Sequence, residues 1–351
     1  MTAHATGEVV GQVIDAIGAH PDLAVLVASQ SHTGALEDAA AAVRTLLAPT
    51  VLLGWVAAEV DTDAGWGPAA APGRSPTGEG VGLWAAHTGP VVPVRMADLA
   101  SPEWTQVGPA PFDRRALVVI GAAGSGTRTA LAPALTVAGA VSDVAGAPVV
   151  LDGTAYATGA VGVVLGPGVD LTVVVEQGRR PVGAASTVTR ADGALLVDLD
   201  GRPAMSVLED IARDQVPARD IALINRSVHL EVRAPAGGRS VHTVRGRDAA
   251  TGALITDPAV EPGDAVQFCV RDPEEAGVRA RQVIDGAEGG VLAWRTRRSD
   301  AGPAPDREAP PPRSLLACRS AALLGMGTGN EGTAPDTIGI SIFREPRVAL
   351  E

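Results

Sequence analysis

The sequence contains no lysine, so all 28 of its basic residues are arginines. Without lysine, no side chain forms a Schiff base, and the Walker-type phosphate loop lacks its essential cation. The formal net charge of −12 argues against a nucleic-acid partner, because proteins that bind phosphate backbones present a basic face. The arginine clusters at 179–180 and 295–298 have acidic residues nearby and are interpreted as solvated surface.

Cysteines and aromatic side chains are also scarce. Two cysteines, Cys269 and Cys318, do not make a disulfide framework in 351 residues. The histidines are scattered, with no pair at ligand spacing beside a cysteine, so we expect neither a metal nor another cofactor. The N-terminus lacks the features of a secretory signal, and glycine or proline interrupts the longest apolar stretches. These absences predict a cytoplasmic protein that makes no contact with a membrane.

The hydrophobic pattern predicts an α+β fold. Apolar residues recur at helical spacing in residues 7–19 and 33–47, whereas 22–28 and 51–56 are continuous apolar runs typical of buried strands. Turn residues separate further runs that predict a meander of strands at 149–151, 160–165 and 171–176. A strand is also predicted at 221–224. We expect two interleaved domains, with mixed or antiparallel sheets packed together and helices on the outside.

Residues 177–203 carry the most specific signal in the chain. Their pattern predicts two short strands joined by a turn at 191–193, with a second turn at Asp200-Gly201 after the second strand. Asp-Gly supplies the positive φ angle that a tight turn needs. The order of a Gly-x-Arg-Pro-x-Gly step, a Val-Thr-Arg step and an acidic-Asp-Gly-x-Pro-Ala step resembles the centre of the FIST family of small-ligand sensory proteins. The resemblance implies a FIST-N-like domain at 1–203 and a FIST-C-like domain at 204–351.

Two earlier segments are similar to the same family, in the same order. Gly54 begins a step that resembles the family's Gly-Cys-Ser-x-x-Gly, with Trp55 where cysteine is usual. Gly139 matches the first glycine of a double-glycine step that continues to Ser142. The resemblance implies that a ligand can approach the backbone closely at Gly54 and Gly139, because glycine has no side chain.

Three later segments continue the resemblance. Arg180 and Gly183 match the step Gly-Cys-Arg-Pro-Ile-Gly, in which Arg179 replaces the cysteine. The strand ending in Cys318 is similar to a late strand of the second domain. The family's aromatic-rich Gly-Phe-x-x-x-Gly-Glu segment is represented by residues 325–331, which lack the aromatic residue.

The resemblance implies a module that binds a small molecule and acts in signal transduction through a protein partner, with amino acids as the usual ligands. In this hypothesis Arg180 pairs with a carboxylate, and Glu59 or Glu331 holds an amine. The residues predicted to contact the ligand are Gly54, Glu59, Gly139, Ser142, Arg180, Gly183, Cys318 and Glu331.

Two other functions fit the same residues. The pocket could serve a repurposed enzyme, with Cys318 or a carboxylate as its catalytic group. The protein could instead be a scaffold without a ligand, which predicts a large apolar surface patch. The sequence determines neither the ligand nor the oligomeric state.

Overall fold

The structure is a computed structural model that divides into two compact units. It describes residues 2–58, 60–62, 80–97, 99, 116–125, 136–214, 217–226, 228–235, 239–296, 315–320, 322–325 and 338–344. The first unit comprises Met1–Glu176 and Gly277–Glu351, and the second comprises Gln177–Ala276. The α+β class is confirmed, since helices accompany mixed and antiparallel sheets. The division at residue 203 concerns the family's domains and stays a prediction.

Helices occur in both units. Within the described residues they are α1 (Thr2–Ile17), α2 (Leu36–Leu46), α3 (Ala204–Asp214), α4 (Ala218–Arg226) and α5 (Pro273–Asp285), with a 3-10 helix at Gln30–Ala35. No helix in this part of the chain is long and apolar enough to cross a membrane. The predicted strand at 221–224 is wrong, because these residues belong to α4. Its β-branched isoleucines favoured a strand, whereas Leu223 and Ile224 pack as adjacent helical residues against a core.

The described residues of the first unit form three sheets. Its strands, numbered along the whole chain, are β1 (Leu23–Ser29), β2 (Val51–Ala57), β3 (Val60–Thr62), β4 (Val81–Ala86), β5 (Val91–Met96), β6 (Ala116–Gly121), β7 (Thr136–Val141), β8 (Val149–Leu151), β9 (Thr154–Tyr156), β10 (Ala160–Leu165), β11 (Asp170–Glu176), β20 (Gly290–Thr296), β21 (Leu315–Ser320), β22 (Ala322–Gly325) and β23 (Ile338–Arg344). The strand orders are β4-β1-β2-β8-β9, β22-β7-β6-β10-β5 and β11-β23-β20-β21-β3.

These three sheets follow the same plan. Each has a central parallel pair: β1 with β2, β6 with β7, and β20 with β21. A third strand from the same stretch of chain, β4, β10 or β23, runs antiparallel beside the first strand of its pair. The first unit therefore repeats one arrangement three times, although its sequence shows no short-period repeat.

A short strand from a different stretch lies beside the second strand of each parallel pair. The strand β3 follows β2 but pairs with β21, β8 follows β7 but pairs with β2, and β22 follows β21 but pairs with β7. The three stretches thus exchange strands in a closed cycle. This pairing overturns the predicted meander, because β8, β10 and β11 lie in three different sheets. Short turns favoured pairing among these three strands, but β8 pairs with β2 and β9, β10 pairs with β5 and β6, and β11 pairs with β23.

Side chains from all three sheets meet in one core. Along β1, Leu23, Val25 and Val27 join this common core, whereas the alternate residues lie in a second core with α1 and α2. Alternation of this kind follows from the two-residue period of a strand. Both faces of the first sheet are therefore covered, which explains why β1 and β2 are apolar throughout.

The second unit is a closed antiparallel barrel. Its strands are β12 (Arg179–Pro181), β13 (Ser186–Asp192), β14 (Leu195–Leu199), β15 (Arg202–Pro203), β16 (Val228–Arg233), β17 (Arg239–Arg247), β18 (Leu254–Asp257) and β19 (Ala265–Arg271). Pairing runs β16-β17-β18-β14-β13-β19 and returns from β19 to β16. Leu208 and Ile211 of α3 contribute to the core that the strands form.

The hairpin predicted within residues 177–203 is confirmed as part of this barrel. The strands β13 and β14 pair antiparallel, and β15 pairs with β14 across the Asp200-Gly201 turn. Both turn residues have positive φ angles, 49° and 77°. The Asp200 carboxylate accepts a hydrogen bond from the Thr187 amide at 2.9 Å, and this bond holds the pKa of Asp200 below its usual value.

Candidate functional site

Gly54 and Gly139, two predicted ligand residues, occupy equivalent places in the first unit. Each is the fourth residue of the second strand of a parallel pair. A Cβ added to Gly54 would lie 3.0 Å from Cβ of Val150, and one added to Gly139 would overlap the carbonyl oxygen of Val119. Residues of neighbouring strands therefore occupy the space that a side chain would need at each glycine. A ligand contact at these glycines stays a prediction.

Ser142 lies directly after β7 and connects two sheets. Its hydroxyl donates a hydrogen bond to the carbonyl of Val56 at 2.7 Å and accepts one from the Val144 amide at 3.2 Å. The next residue, Asp143, accepts a hydrogen bond from the Ala58 amide at 3.0 Å. Ser142 is 1% exposed, and these hydrogen bonds hold the end of β7 against the end of β2.

The remaining predicted residues of the first unit are only partly described. Glu59 and Glu331 lie outside the described residues. Cys318 belongs to β21, where its backbone is in register with Trp294 on one side and Val60 on the other. Its side chain is outside the described part of the chain, so its proposed roles stay predictions.

Arg180 and Gly183 lie in the second unit. Arg180 is half-buried on β12 and in register with Val270 of β19, whose side chain belongs to the barrel core. Gly183 has a φ angle of 72°, which glycine adopts without strain. Its carbonyl accepts a hydrogen bond from Nε2 of Gln267 at 2.8 Å. The positive φ angle therefore gives position 183 a structural reason to be glycine.

Strand alternation brings a different group of residues to the outer face of the barrel. Along β19, Val266, Phe268 and Val270 belong to the core, so Cys269 and Arg271 share the opposite face. We call the outer-face group formed by Arg179, His229, Cys269 and Arg271 the arginine face. Arg179 is in register with Arg271, and His229 is in register with Cys269.

The arginine face is largely buried and cationic. Cys269 is fully buried, and His229 is 8% exposed. Burial lowers the pKa of His229 to about 4, and the charges of Arg271, Arg179 and Arg245 add to this effect. The imidazole is therefore neutral at pH 7, with its Nδ1 3.5 Å from the Thr243 hydroxyl.

Reasoning from the sequence missed His229, Cys269 and Arg271. Each is an ordinary residue of an alternating strand, and nothing near it in the sequence shows which strand lies beside it. Only the doublet Arg179-Arg180 gave a signal, and it was interpreted as solvated surface. Among the described residues, no three His, Cys, Asp or Glu side chains are grouped to hold a metal ion.

Comparisons with known proteins relate most of the chain to bacterial proteins. A family model described as the FIST N domain matches residues 112–202. The uncharacterized protein Rv0628c of Mycobacterium tuberculosis H37Rv is 31% identical over 295 residues, which cover 77% of this chain and 73% of that protein. The uncharacterized protein Mb0898c of Mycobacterium bovis is 28% identical over 298 residues, covering 80% and 76% respectively.

Proposed function

Because the chain belongs to the FIST family, a family of small-ligand sensory domains, we propose that it binds a small metabolite carrying a carboxylate and signals through a protein partner. The observation that carries this proposal is the family match at 112–202, which includes the step containing Arg180 and Gly183. An amino acid is the ligand that the resemblance favours. The protein acts in this proposal as a receptor whose output comes from its partner.

Arg180 is the residue proposed to pair with the ligand's carboxylate. Arg180 is half-buried, and a partly desolvated arginine binds a carboxylate more strongly than a fully exposed one. Gly183 follows three residues later, with its backbone fixed by Gln267. A rigid backbone beside the arginine reduces the entropy that is lost when a ligand binds.

A thermal-shift screen of amino acids and small organic acids tests this function. A ligand at a hundred times its Kd should stabilise the full chain by about 2.7 kcal/mol. We expect Arg180→Gln to weaken the best ligand at least tenfold. Arg190→Gln is the matched control, because Arg190 lies on the same barrel, is exposed, and pairs with Asp198 at 2.8 Å.

Two results would contradict the proposal. One is a complete screen in which no metabolite raises the unfolding temperature. The other is a ligand that binds Arg180→Gln as tightly as the unchanged protein. Selective labelling of Cys318 by a thiol reagent near neutral pH would instead favour the catalytic alternative.

A further inference from the structure

We propose that Ser240 and His242 of the second unit act as a nucleophile and its base, and that they accept the acyl group of a small ester. We call these two residues the serine–histidine pair, and this activity goes beyond the receptor function proposed above. Both residues belong to β17 and are two positions apart, so their side chains lie on the same face of the strand. The Ser240 hydroxyl and Nε2 of His242 are 2.8 Å apart, within hydrogen-bond distance.

The second ring nitrogen of His242 determines the direction of this hydrogen bond. Nδ1 is 2.9 Å from the carbonyl oxygen of Pro258, and a carbonyl oxygen only accepts hydrogen bonds. In the neutral imidazole Nδ1 therefore carries the proton, and Nε2 presents a lone pair. The Ser240 hydroxyl donates to this lone pair, which is the arrangement that lets a base remove the proton of a serine nucleophile.

Burial and the Pro258 carbonyl together hold the imidazole in this orientation. His242 is 6% exposed and is in register with Leu230, a residue of the barrel core. The Pro258 carbonyl orients the ring, as the third group of a nucleophile–base arrangement does. Because this carbonyl is uncharged, it stabilises an imidazolium less than a carboxylate would, and we expect a moderately activated serine.

Ser240 is exposed, so a substrate can reach its hydroxyl oxygen. It is the second residue of β17 and is in register with Val232 near the end of β16, which places it at one end of the barrel. Val232 is in register with Val266, and both belong to the barrel core. Small-molecule sites often lie at the mouths of β-barrels. An exposed hydroxyl beside apolar side chains fits a small uncharged ester.

The acyl transfer needs an ester and water as its reactants. Oγ of Ser240 forms a bond to the carbonyl carbon of the ester, while the hydroxyl proton passes to Nε2 of His242. The bond from this carbon to the alcohol oxygen then breaks, and the alcohol leaves with the proton from Nε2. In the second step water attacks the acyl carbon and gives a proton to Nε2. The bond to Oγ breaks, Oγ takes that proton, and the acid is released.

The serine–histidine pair and the site proposed at Arg180 lie at different levels of the barrel. Arg180 is in register with Val270 of β19. Ser240 is in register with Val232, which in turn is in register with Val266 of β19. The two levels on β19 are about 13 Å apart along the strand. Failure of one site in an experiment therefore does not imply failure of the other.

Labelling of the full chain with a fluorophosphonate tests the serine–histidine pair. In this reaction phosphorus forms a bond to the serine Oγ, fluoride leaves, and the hydroxyl proton passes to Nε2 of the histidine. We expect a label that peptide mass mapping assigns to Ser240 in the folded protein, and none at Ser240 in urea. This comparison needs no variant, so it decides the question even where a substitution prevents folding.

Matched variants separate activation from a structural role. Ser240→Ala should abolish the label, and His242→Asn should slow labelling by about a hundredfold or more, because a positioned base contributes on the order of 10²–10⁴ in rate. His229→Asn removes another buried imidazole of the same barrel and is the control for the histidine. Ser186→Ala is the control for the serine, since the Ser186 hydroxyl hydrogen-bonds to the carboxylate of Asp200. Both controls should be labelled like the unchanged protein.

A second measurement follows release of p-nitrophenolate from p-nitrophenyl acetate, which should be faster with the unchanged protein than with Ser240→Ala. Equal release by these two proteins would overturn the inference. It is also overturned if folded protein has no label at Ser240, or if the label forms equally in urea. Labelling of His242→Asn at the unchanged rate, in protein that still unfolds cooperatively in urea, would show that the histidine has only a structural role.

Discussion

At the scale of single residues, the fold changes the acid–base chemistry of His229. An exposed histidine has a pKa near 6.5, but burial and the neighbouring arginines lower this value to about 4. The protonated form is disfavoured because it would add a positive charge among Arg179, Arg245 and Arg271. Burial and these charges together keep the imidazole neutral at pH 7.

The lowered pKa predicts a pH dependence of stability. Between about pH 6.5 and pH 4 the unfolded chain binds a proton at His229 and the folded chain does not, so protonation favours unfolding. The contribution of neutral His229 is fully present above pH 6.5 and is lost as the pH falls to about 4, by about 3 kcal/mol in total. Urea unfolding at several pH values measures this loss.

The matched variant for this measurement is His229→Asn. Its stability should fall less steeply than that of the unchanged protein between pH 6.5 and pH 4, because the group that takes up the proton is gone. His20→Asn removes an exposed imidazole and serves as the control. Equal slopes for His229→Asn and the unchanged protein would contradict the assignment.

At the scale of elements, the parallel strand pairs depend on how closely their backbones approach. In β7 the backbone of Gly139 lies against the carbonyl of Val119 in β6, so that no side chain fits between them. In β2 the equivalent Gly54 is covered by Val150 of β8. These glycines resemble the family's steps, and packing of the sheets gives a physical reason for each.

This packing predicts opposite effects for two glycine-to-alanine substitutions. Gly139→Ala should lower the free energy of unfolding by more than about 2 kcal/mol, because its Cβ overlaps backbone that cannot move without disturbing the sheet. Gly11→Ala in α1 should raise it by about 1 kcal/mol, since the site is open and alanine favours a helix. Chemical denaturation of both variants measures the difference. A Gly139→Ala protein as stable as the unchanged one would show that the strands separate easily.

At the scale of the whole molecule, the two units are built differently along the chain. The barrel uses one continuous stretch, Gln177–Ala276, and closes on itself through β19 and β16. The three-sheet unit uses residues from both sides of that stretch, because β3, β11 and β7 pair with β21, β23 and β22. Folding of the first unit therefore requires residues at opposite ends of the sequence.

Two fragments test this difference. The isolated stretch 177–276 should fold and unfold cooperatively, because it contains all the strands and the core of its barrel. The isolated stretch 1–176 should lack stable tertiary structure, because its sheets have lost the partners supplied by β20–β23. Amide dispersion in NMR spectra, with the full chain as reference, measures both. A disordered 177–276 or a cooperatively folded 1–176 would contradict this account.

The sequence by itself determined most of the local structure. Apolar runs placed β1, β2 and β10 within a residue of their observed ends, and Asp200-Gly201 placed a turn of the barrel. Such features depend on the conformational preferences of neighbouring residues, so a short window of sequence contains the information. The strand predicted within α4 failed because intrinsic preference is weak where tertiary packing can override it.

Only the tertiary structure decided which strands are neighbours. The cyclic exchange of β3, β8 and β22, and the pairing that sets Arg179 beside Arg271 and His229 beside Cys269, join residues distant in the chain. Many of the apolar strands have similar compositions, so composition alone does not decide which of them pair. The pairing depends on closing the loops and burying every sheet face at once. The composition of the chain supplied arginine as its only strong base, and the barrel brought the arginines together.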